Sequence, residues 1–304
     1  MHRSILGRLM VAAALLSTAT ANAAQLELNN GTLKIRTDNT YGGSIVWLST
    51  AAGSLNLVNI HDRGREIQQS YYAGANLTRS GQIPNYSPWS WNPVQAGSYS
   101  GTPSIVDSFS LNNGILYSWT RPKLWDVPNE TAQAVIKQWT QFEPGMSQVI
   151  RVTNQLVCLR SNNDAWGSPA NRHQELPACY FIRALNRAKI YNGNGSWSDY
   201  NYPLLSSNGW GRPNPPKKAM AFFLANDFGV GIYSPASTTA WNCGATGTSA
   251  STDPTHADTM HVAPLATLAF DRQTQFTFNY WIVMGNQATI RTRLDQLLAL
   301  YPNG

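Results

Sequence analysis

Residues 61 to 72 read HDRGREIQQSYY, with five titratable side chains inside six positions, then two Gln and two Tyr. A carboxylate, guanidinium forks and amides set this close can bind hydroxyls, hold an anion or move a proton. Asp62 is a candidate base or nucleophile. Arg65 offers a planar fork to a carboxylate or to a pair of ring oxygens. Gln68 and Gln69 supply neutral donors and acceptors. Tyr71 and Tyr72 are phenols that could take a proton from carbon. The competing reading is structural: Asp62 pairs with Arg63 and closes a tight turn at Gly64.

A second stretch, HQELPACY at 173 to 180, has a related texture. Glu175 is placed just ahead of an apolar strand, where partial burial would raise its pKa and make it a proton donor. His173 is a candidate partner acid or base, because its charge changes near neutral pH. Pro177 keeps the chain extended. The alternative is a His-Gln-Glu group that only holds loop backbone. His256, Asp258 and His261 are read as a polar loop whose spacing matches no strong metal pattern, and no cofactor is expected. GxSxG and Gly-rich nucleotide loops are absent where a strand–helix context would give them meaning.

The elements that must position these groups are mostly strands. Leu33 and Ile35 alternate with polar residues, and Asn30-Gly31 and Asn113-Gly114 are turn signals. Further strand-like runs cover 45–48, 115–120, 135–142, 149–157, 180–185, 219–225, 230–233, 265–270 and 276–284. Many short strands with turn chemistry between them predict a large antiparallel β-sandwich or barrel. One helix is expected at the end, where Ile290, Leu294, Leu297, Leu298 and Tyr301 share a face of 3.6-residue period. Two long stretches, 74–102 and 186–217, resist assignment, and long loops of this kind usually carry function.

Aromatic usage points to a ligand class. The chain has 11 Trp and 13 Tyr against 9 Phe, whereas a plain core favours rings without a polar group to satisfy. Trp89, Trp91 and Trp210 sit in polar, Gly/Pro-rich stretches near amides such as Asn92. Flat rings beside amides suit a sugar, whose C–H face lies on the ring while its hydroxyls reach the amides. The bland reading is that these rings pin long loops to the sheets.

The N-terminus reads as a secretory signal peptide. Arg3 and Arg8 precede a short apolar run from Leu9 to Leu16, and Ala21-Asn22-Ala23 is a cleavage-site pattern. Residues 1–23 are therefore expected to be a leader, and 24–304 a single exported domain, periplasmic or extracellular. No other segment is apolar enough to span a bilayer. Charged residues are only 12 %, about half the usual ~25 %. Without the leader's two arginines, 20 basic residues stand against 16 acidic. No long basic run exists, so nucleic acid is not an expected partner. Export makes a disulfide plausible, and among Cys158, Cys179 and Cys243 the favoured pair is Cys158 with Cys179.

Taken together, DRGREIQ with SYY, WNPVQAG, HQELPACY, NDFGVGIYSP and FNYWIVMGN leading into IRTRL resemble exported bacterial proteins with the galactose mutarotase-like β-supersandwich. Aldose epimerases and the large domains of many glycoside hydrolases and polysaccharide lyases share that fold. The resemblance implies a sugar site on a concave sheet face, with Asp62, Arg65, Gln68, His173 and Glu175 converging there. Fold does not fix chemistry. A glycoside hydrolase would use Glu175 as general acid and Asp62 as base or nucleophile on a poly- or oligosaccharide. A polysaccharide lyase would use His173, Tyr71 or Tyr72 as base while Arg65 and Gln68 neutralise a uronate. A non-catalytic sugar-binding protein would use the same groups only as hydrogen-bond partners. An epimerase would need a small pocket, and the long aromatic stretches speak for a groove.

Overall fold

Alternating burial along the chain builds two antiparallel sheets of nine strands each. The computed structural model describes residues 24–304 apart from 162, 163, 168, 207 and 208. The expected leader, residues 1–23, lies outside the described residues. Among those described, no helix is long and apolar enough to cross a membrane.

The first sheet runs, in spatial order, through Gln25–Asn29, Leu33–Asp38, Ser44–Thr50, Ile67–Ser70, Arg172–Ile182, Thr259–Leu268 and Thr239–Thr246. Two-residue strands Pro93–Val94 and Lys123–Leu124 attach beside Ile67–Ser70. The second sheet runs Ser196–Asp199, Arg187–Gly193, Ala219–Phe223, Phe228–Tyr233, Gln275–Asn286, Val149–Cys158, Ala134–Phe142, Ile115–Arg121 and Ile105–Asn112. One face of each sheet enters a shared core. Ile35, Leu48, Phe181 and Val262 come from the first, and Leu116, Ile136, Val152, Phe222 and Ile282 from the second. Residues between them in sequence face outward, because side chains of a strand alternate sides.

The sequence signals fold as their chemistry dictates. Asn113 and Gly114 both take positive φ between Ile105–Asn112 and Ile115–Arg121, as a tight Asn-Gly hairpin requires. The helix spans Gln287–Leu300, capped by Asn286, whose side chain accepts from the Thr289 N–H at 2.8 Å. Ile290, Leu294 and Leu297 bury against Tyr191, Phe223, Tyr233 and Trp281 on the outer face of the second sheet. Leu298 and Tyr301 pack at the margin of that cluster.

Four expectations change. Glu175 lies inside the strand Arg172–Ile182 rather than ahead of it. Pro177 occupies a register shift between Glu175 and Cys179, where a missing N–H breaks no ladder bond. His261 is on the strand Thr259–Leu268, fully buried, not in a polar loop. The stretch 186–217 contains a hairpin, Arg187–Gly193 with Ser196–Asp199, and the stretch 74–102 contains Trp89–Trp91 paired with Ala73–Leu77. The favoured disulfide does not form: all three cysteines are free and buried. Cys158 belongs to the second sheet and Cys179 to the first, and packed sheets lie about 10 Å apart. Cys179 and Cys243 flank Val262 from opposite sides, so two strand spacings, about 9.6 Å, separate them. That exceeds the ~7 Å reach of a disulfide between Cα atoms.

Candidate functional site

The outward face of the first sheet is the floor of a cavity of about 800 Å³. Its floor residues follow from register. Glu175 stands opposite Ser70 on one side and Leu265 on the other, and His173 stands opposite Thr267. The register shift after Glu175 adds one residue to this strand. Odd-numbered His173 and Glu175 therefore share the cavity face with even-numbered Ala178 and Tyr180. A regular strand would have turned Tyr180 into the core.

One wall is aromatic and comes from chain segments distant in sequence. Tyr86 is its hub, with ring centroids 5.1 Å from Trp89, 5.1 Å from Tyr99 and 5.9 Å from Trp125, all edge-on. Tyr72 meets Trp89 edge-on as well. Asn92 sets the Trp89 ring: its Oδ1 accepts the indole N–H at 3.2 Å, while its Nδ2 donates to the Tyr71 carbonyl and the Ser70 hydroxyl. Gly64 lets Trp125 close in, since a Cβ there would fall 2.2 Å from the indole.

The opposite wall is Trp210, lying over the sheet at Gly244. A Cβ at Gly244 would approach the indole to 3.0 Å and the Pro203 carbonyl to 2.8 Å. Beneath Trp210, the His261 ring is held between two aromatic rings, 4.5 Å from Trp210 and 4.3 Å from Tyr180.

Glu175 is the chemically distinctive group. Its carboxyl is almost fully buried on the cavity floor, and desolvation pushes its pKa up to about 7. The Tyr72 hydroxyl donates to Oε2 at 3.5 Å, and weak hydrogen bonds from Ser70 and Tyr72 offset only part of the burial. His261 Nε2 lies 3.7 Å from Oε1. This contact is not an ion pair near neutral pH, because burial pushes the imidazole down to about 3 and keeps it uncharged. Neither His261 nitrogen has a well-formed hydrogen bond. A carboxylic acid that keeps its proton up to about pH 7 thus faces the cavity, and among the described residues no charged cation pairs with it.

Asp62 is the other carboxylate lining the cavity among the described residues. Its Oδ2 lies 3.1 Å from Arg65 Nε and its Oδ1 accepts the Gly64 N–H at 2.9 Å. The turn-closing pair therefore exists, but its partner is Arg65. Arg63 instead lies over the Tyr41 ring and donates to the Thr40 and Gly101 carbonyls. Arg65 also donates to the Ala257 carbonyl. His173 is exposed at the rim, with Nδ1 3.1 Å from the Thr267 hydroxyl and Nε2 3.4 Å from an Arg212 nitrogen. Partial burial, then the Arg212 charge, lowers its pKa.

Eight of the expected site residues line this one cavity: Asp62, Arg65, Tyr72, Trp89, Asn92, His173, Glu175 and Trp210. Three do not. Gln68 is buried on the strand Ile67–Ser70, donating to the Arg63 and Arg65 carbonyls of the turn and accepting from the Ala96 N–H. Tyr71 is fully buried, with its hydroxyl on Gln69. Trp91 is buried in the core. Sequence reasoning missed Trp125, Tyr180, Arg172 and the ring stack on His261. For Trp125 the available signal was a Trp ahead of Asp-Val-Pro between strands. His256 and Asp258 contact each other at 4.0 Å, and among the described residues no group of three metal-ligating side chains forms.

No family model matches the chain, and no curated protein matches it. Solved structures do. A candidate aldose 1-epimerase from Escherichia coli K12 superposes with a TM-score of 0.51 at 9% identity, covering 86% of this chain and 99% of the other. A galactose mutarotase related enzyme from Lactobacillus acidophilus gives 0.48 at 8% identity, with 86% and 98% covered. A candidate aldose 1-epimerase from Klebsiella pneumoniae subsp. pneumoniae MGH 78578 gives 0.48 at 12%, with 88% and 80% covered.

Proposed function

We infer the function from the galactose mutarotase-like fold, which the superposition on the Escherichia coli protein shows. On that scaffold we propose a carbohydrate-active enzyme, a glycoside hydrolase in which Glu175 protonates the leaving oxygen of a poly- or oligosaccharide. The observation that carries this reading is the Glu175 carboxyl, held protonated up to about pH 7 on the floor of an aromatic cavity. A general acid works best when its pKa lies near the working pH, and burial against rings is a known way to raise it. Trp89, Tyr86, Trp125 and Trp210 supply flat faces for sugar rings, and Asn76, Asn171 and Asn242 supply amides at the margin. Asp62 is the second carboxylate that hydrolysis requires. The size of the cavity suits several sugar residues better than one.

A second reading, polysaccharide elimination, is favoured by one specific feature. Partial burial, then the Arg212 charge, lowers the His173 pKa and favours the neutral ring that can accept a proton, while Arg65 and Arg172 line the same cavity to meet a uronate. The deciding experiment incubates the purified protein with neutral and uronate-containing polysaccharides. Reducing ends and the ultraviolet absorbance of an unsaturated uronate are followed together. New reducing ends without absorbance, lost in Glu175→Gln and reduced in Asp62→Asn, is the expected result. Both signals rising together would replace hydrolysis with elimination and move attention to His173 and Tyr72. Binding with neither signal would leave a sugar-binding protein.

A further inference from the structure

The second sheet carries an aromatic platform that the cavity does not use. The C-terminal helix covers only part of this sheet's outer face, over Ala219–Phe223, Phe228–Tyr233 and the end of Gln275–Asn286. Among the described residues no other element covers the rest of that face, and its side chains are ordered by register into two rows across four strands. One row reads Trp119, Lys137, Gln155 and Thr277. The other reads Tyr117, Trp139, Thr153 and Asn279. Three strand spacings make each row about 14 Å long.

The chemistry of these rows is not that of a bare apolar patch. The Tyr117 and Trp139 rings lie 5.2 Å apart and only 39° from parallel, so together they present a shallow aromatic surface. Trp119 is 40% exposed, although an indole this large is usually covered. Hydroxyls and amides continue both rows and are already oriented: Gln155 donates to Thr277 at 3.1 Å and Thr153 to Asn279 at 2.6 Å.

Charge selects among partners. The Lys137 ammonium sits 5.7 Å from the Trp119 ring centroid, and no ion pair to it exists among the described residues. The neighbouring acids are already neutralised. Asp107 is bound by Arg121 at 2.7 Å and 2.9 Å, and Glu143 accepts from the Trp281 indole and the Tyr301 hydroxyl with Arg151 at 3.9 Å. What remains is an uncompensated cation between stacking rings and oriented amides. That combination complements a chain of sugar rings carrying carboxylates.

We propose that this face is a second, non-catalytic binding site for an anionic, uronate-bearing polysaccharide, with Trp119, Trp139 and Tyr117 stacking sugar rings and Lys137 meeting a carboxylate. It lies on the opposite side of the core from the cavity, so it stands or falls independently of what the cavity does.

The test is native gel electrophoresis through polygalacturonate, with dextran as the neutral control, at about 0.15 M salt where loose surface attraction is largely screened. The full chain is expected to be slowed by polygalacturonate more than by dextran. Trp119→Ala with Trp139→Ala should raise the apparent dissociation constant at least tenfold. Lys137→Gln, a surface change that leaves the core intact, should raise it several-fold and erase the preference over dextran. Trp210→Ala, in the cavity wall, should leave the retardation in place. Retardation that Trp210→Ala abolishes and Lys137→Gln leaves unchanged would assign the binding to the cavity and overturn the proposal. So would the absence of retardation. Sedimentation as a dimer that Trp119→Ala dissociates would assign the face to a second copy of the chain, which also overturns it.

Discussion

The segments 61–72 and 172–180 both set charged and amide side chains beside strands of the same sheet, yet the fold uses them differently. In the first, most polar groups are consumed by the backbone. Arg63 and Arg65 donate to carbonyls, Gln68 ties three chain segments together, and Glu66 is fully buried at a positive φ of 52°. In the second, alternation and one register shift deliver His173, Glu175 and Tyr180 to the cavity. The two buried glutamates sharpen the contrast. Burial pushes both carboxyls upward, Glu66 well above the usual carboxylate range and Glu175 to about 7. Only Glu175 lines a cavity that a substrate can enter. A raised pKa therefore marks a catalytic acid only when the proton has somewhere to go.

The largest expected effect separates the two glutamates by chemistry. Glu175→Gln keeps size and hydrogen bonding but removes the proton, so turnover should fall about 10²- to 10⁴-fold with little loss of sugar binding. Turnover within threefold of the parent would remove Glu175 from the role of acid.

The second effect is a pH dependence of stability. The folded pKa of Glu175 lies above its unfolded value of 4.5. The neutral carboxyl thus contributes stability that is fully present below about pH 4.5 and is lost as pH rises through about 7. The difference of about 2.5 pKa units corresponds to on the order of 3 kcal/mol. Glu66 acts with the same sign. Denaturant titrations from pH 4.5 to 7.5 should show stability falling, and Glu175→Gln should flatten that slope. A slope unchanged by the substitution would mean that Glu175 titrates normally. Activity should likewise decline above about pH 7 as the acid ionises.

A smaller effect tests the first segment. Gln68→Ala leaves the Ala96 N–H and two carbonyls without their buried partner and should cost about 1–3 kcal/mol in chemical denaturation. At a temperature where the variant is folded, affinity for sugar should match the parent. A selective loss of affinity without loss of stability would return Gln68 to the binding surface.

The smallest effect is Glu66→Gln. The shape is retained and no substrate contact is made, so the change should stay under about 1 kcal/mol in stability at pH 4, where the unfolded carboxyl is largely protonated too, and leave turnover unaltered. A loss of turnover comparable to that of Glu175→Gln would collapse the distinction between the two segments.

The strands, the Asn-Gly hairpin and the capped C-terminal helix follow from local sequence, because periods of two and 3.6 and turn chemistry act over a few residues. That Glu175, Trp89 and Trp210 deserve notice was legible for a related reason, and all three line the cavity: a carboxylate near an apolar run, and rings among amides, are unusual enough to be seen alone. Tyr71 and Tyr72 show where that reasoning ends. Adjacent residues of the same type point to opposite sides, and only pairing to Gln174 and Glu175 decides which one reaches the cavity. The Cys158–Cys179 pairing failed likewise, since spacing along the chain does not tell which sheet a strand joins. His261 was visible only as a residue. Its burial between Tyr180 and Trp210, 3.7 Å from Glu175, needs three segments brought together. The sequence by itself determined the inventory of strands, rings and carboxylates. The tertiary structure decided which face each one occupies and which proton is held, because desolvation and register depend on neighbours supplied by distant parts of the chain.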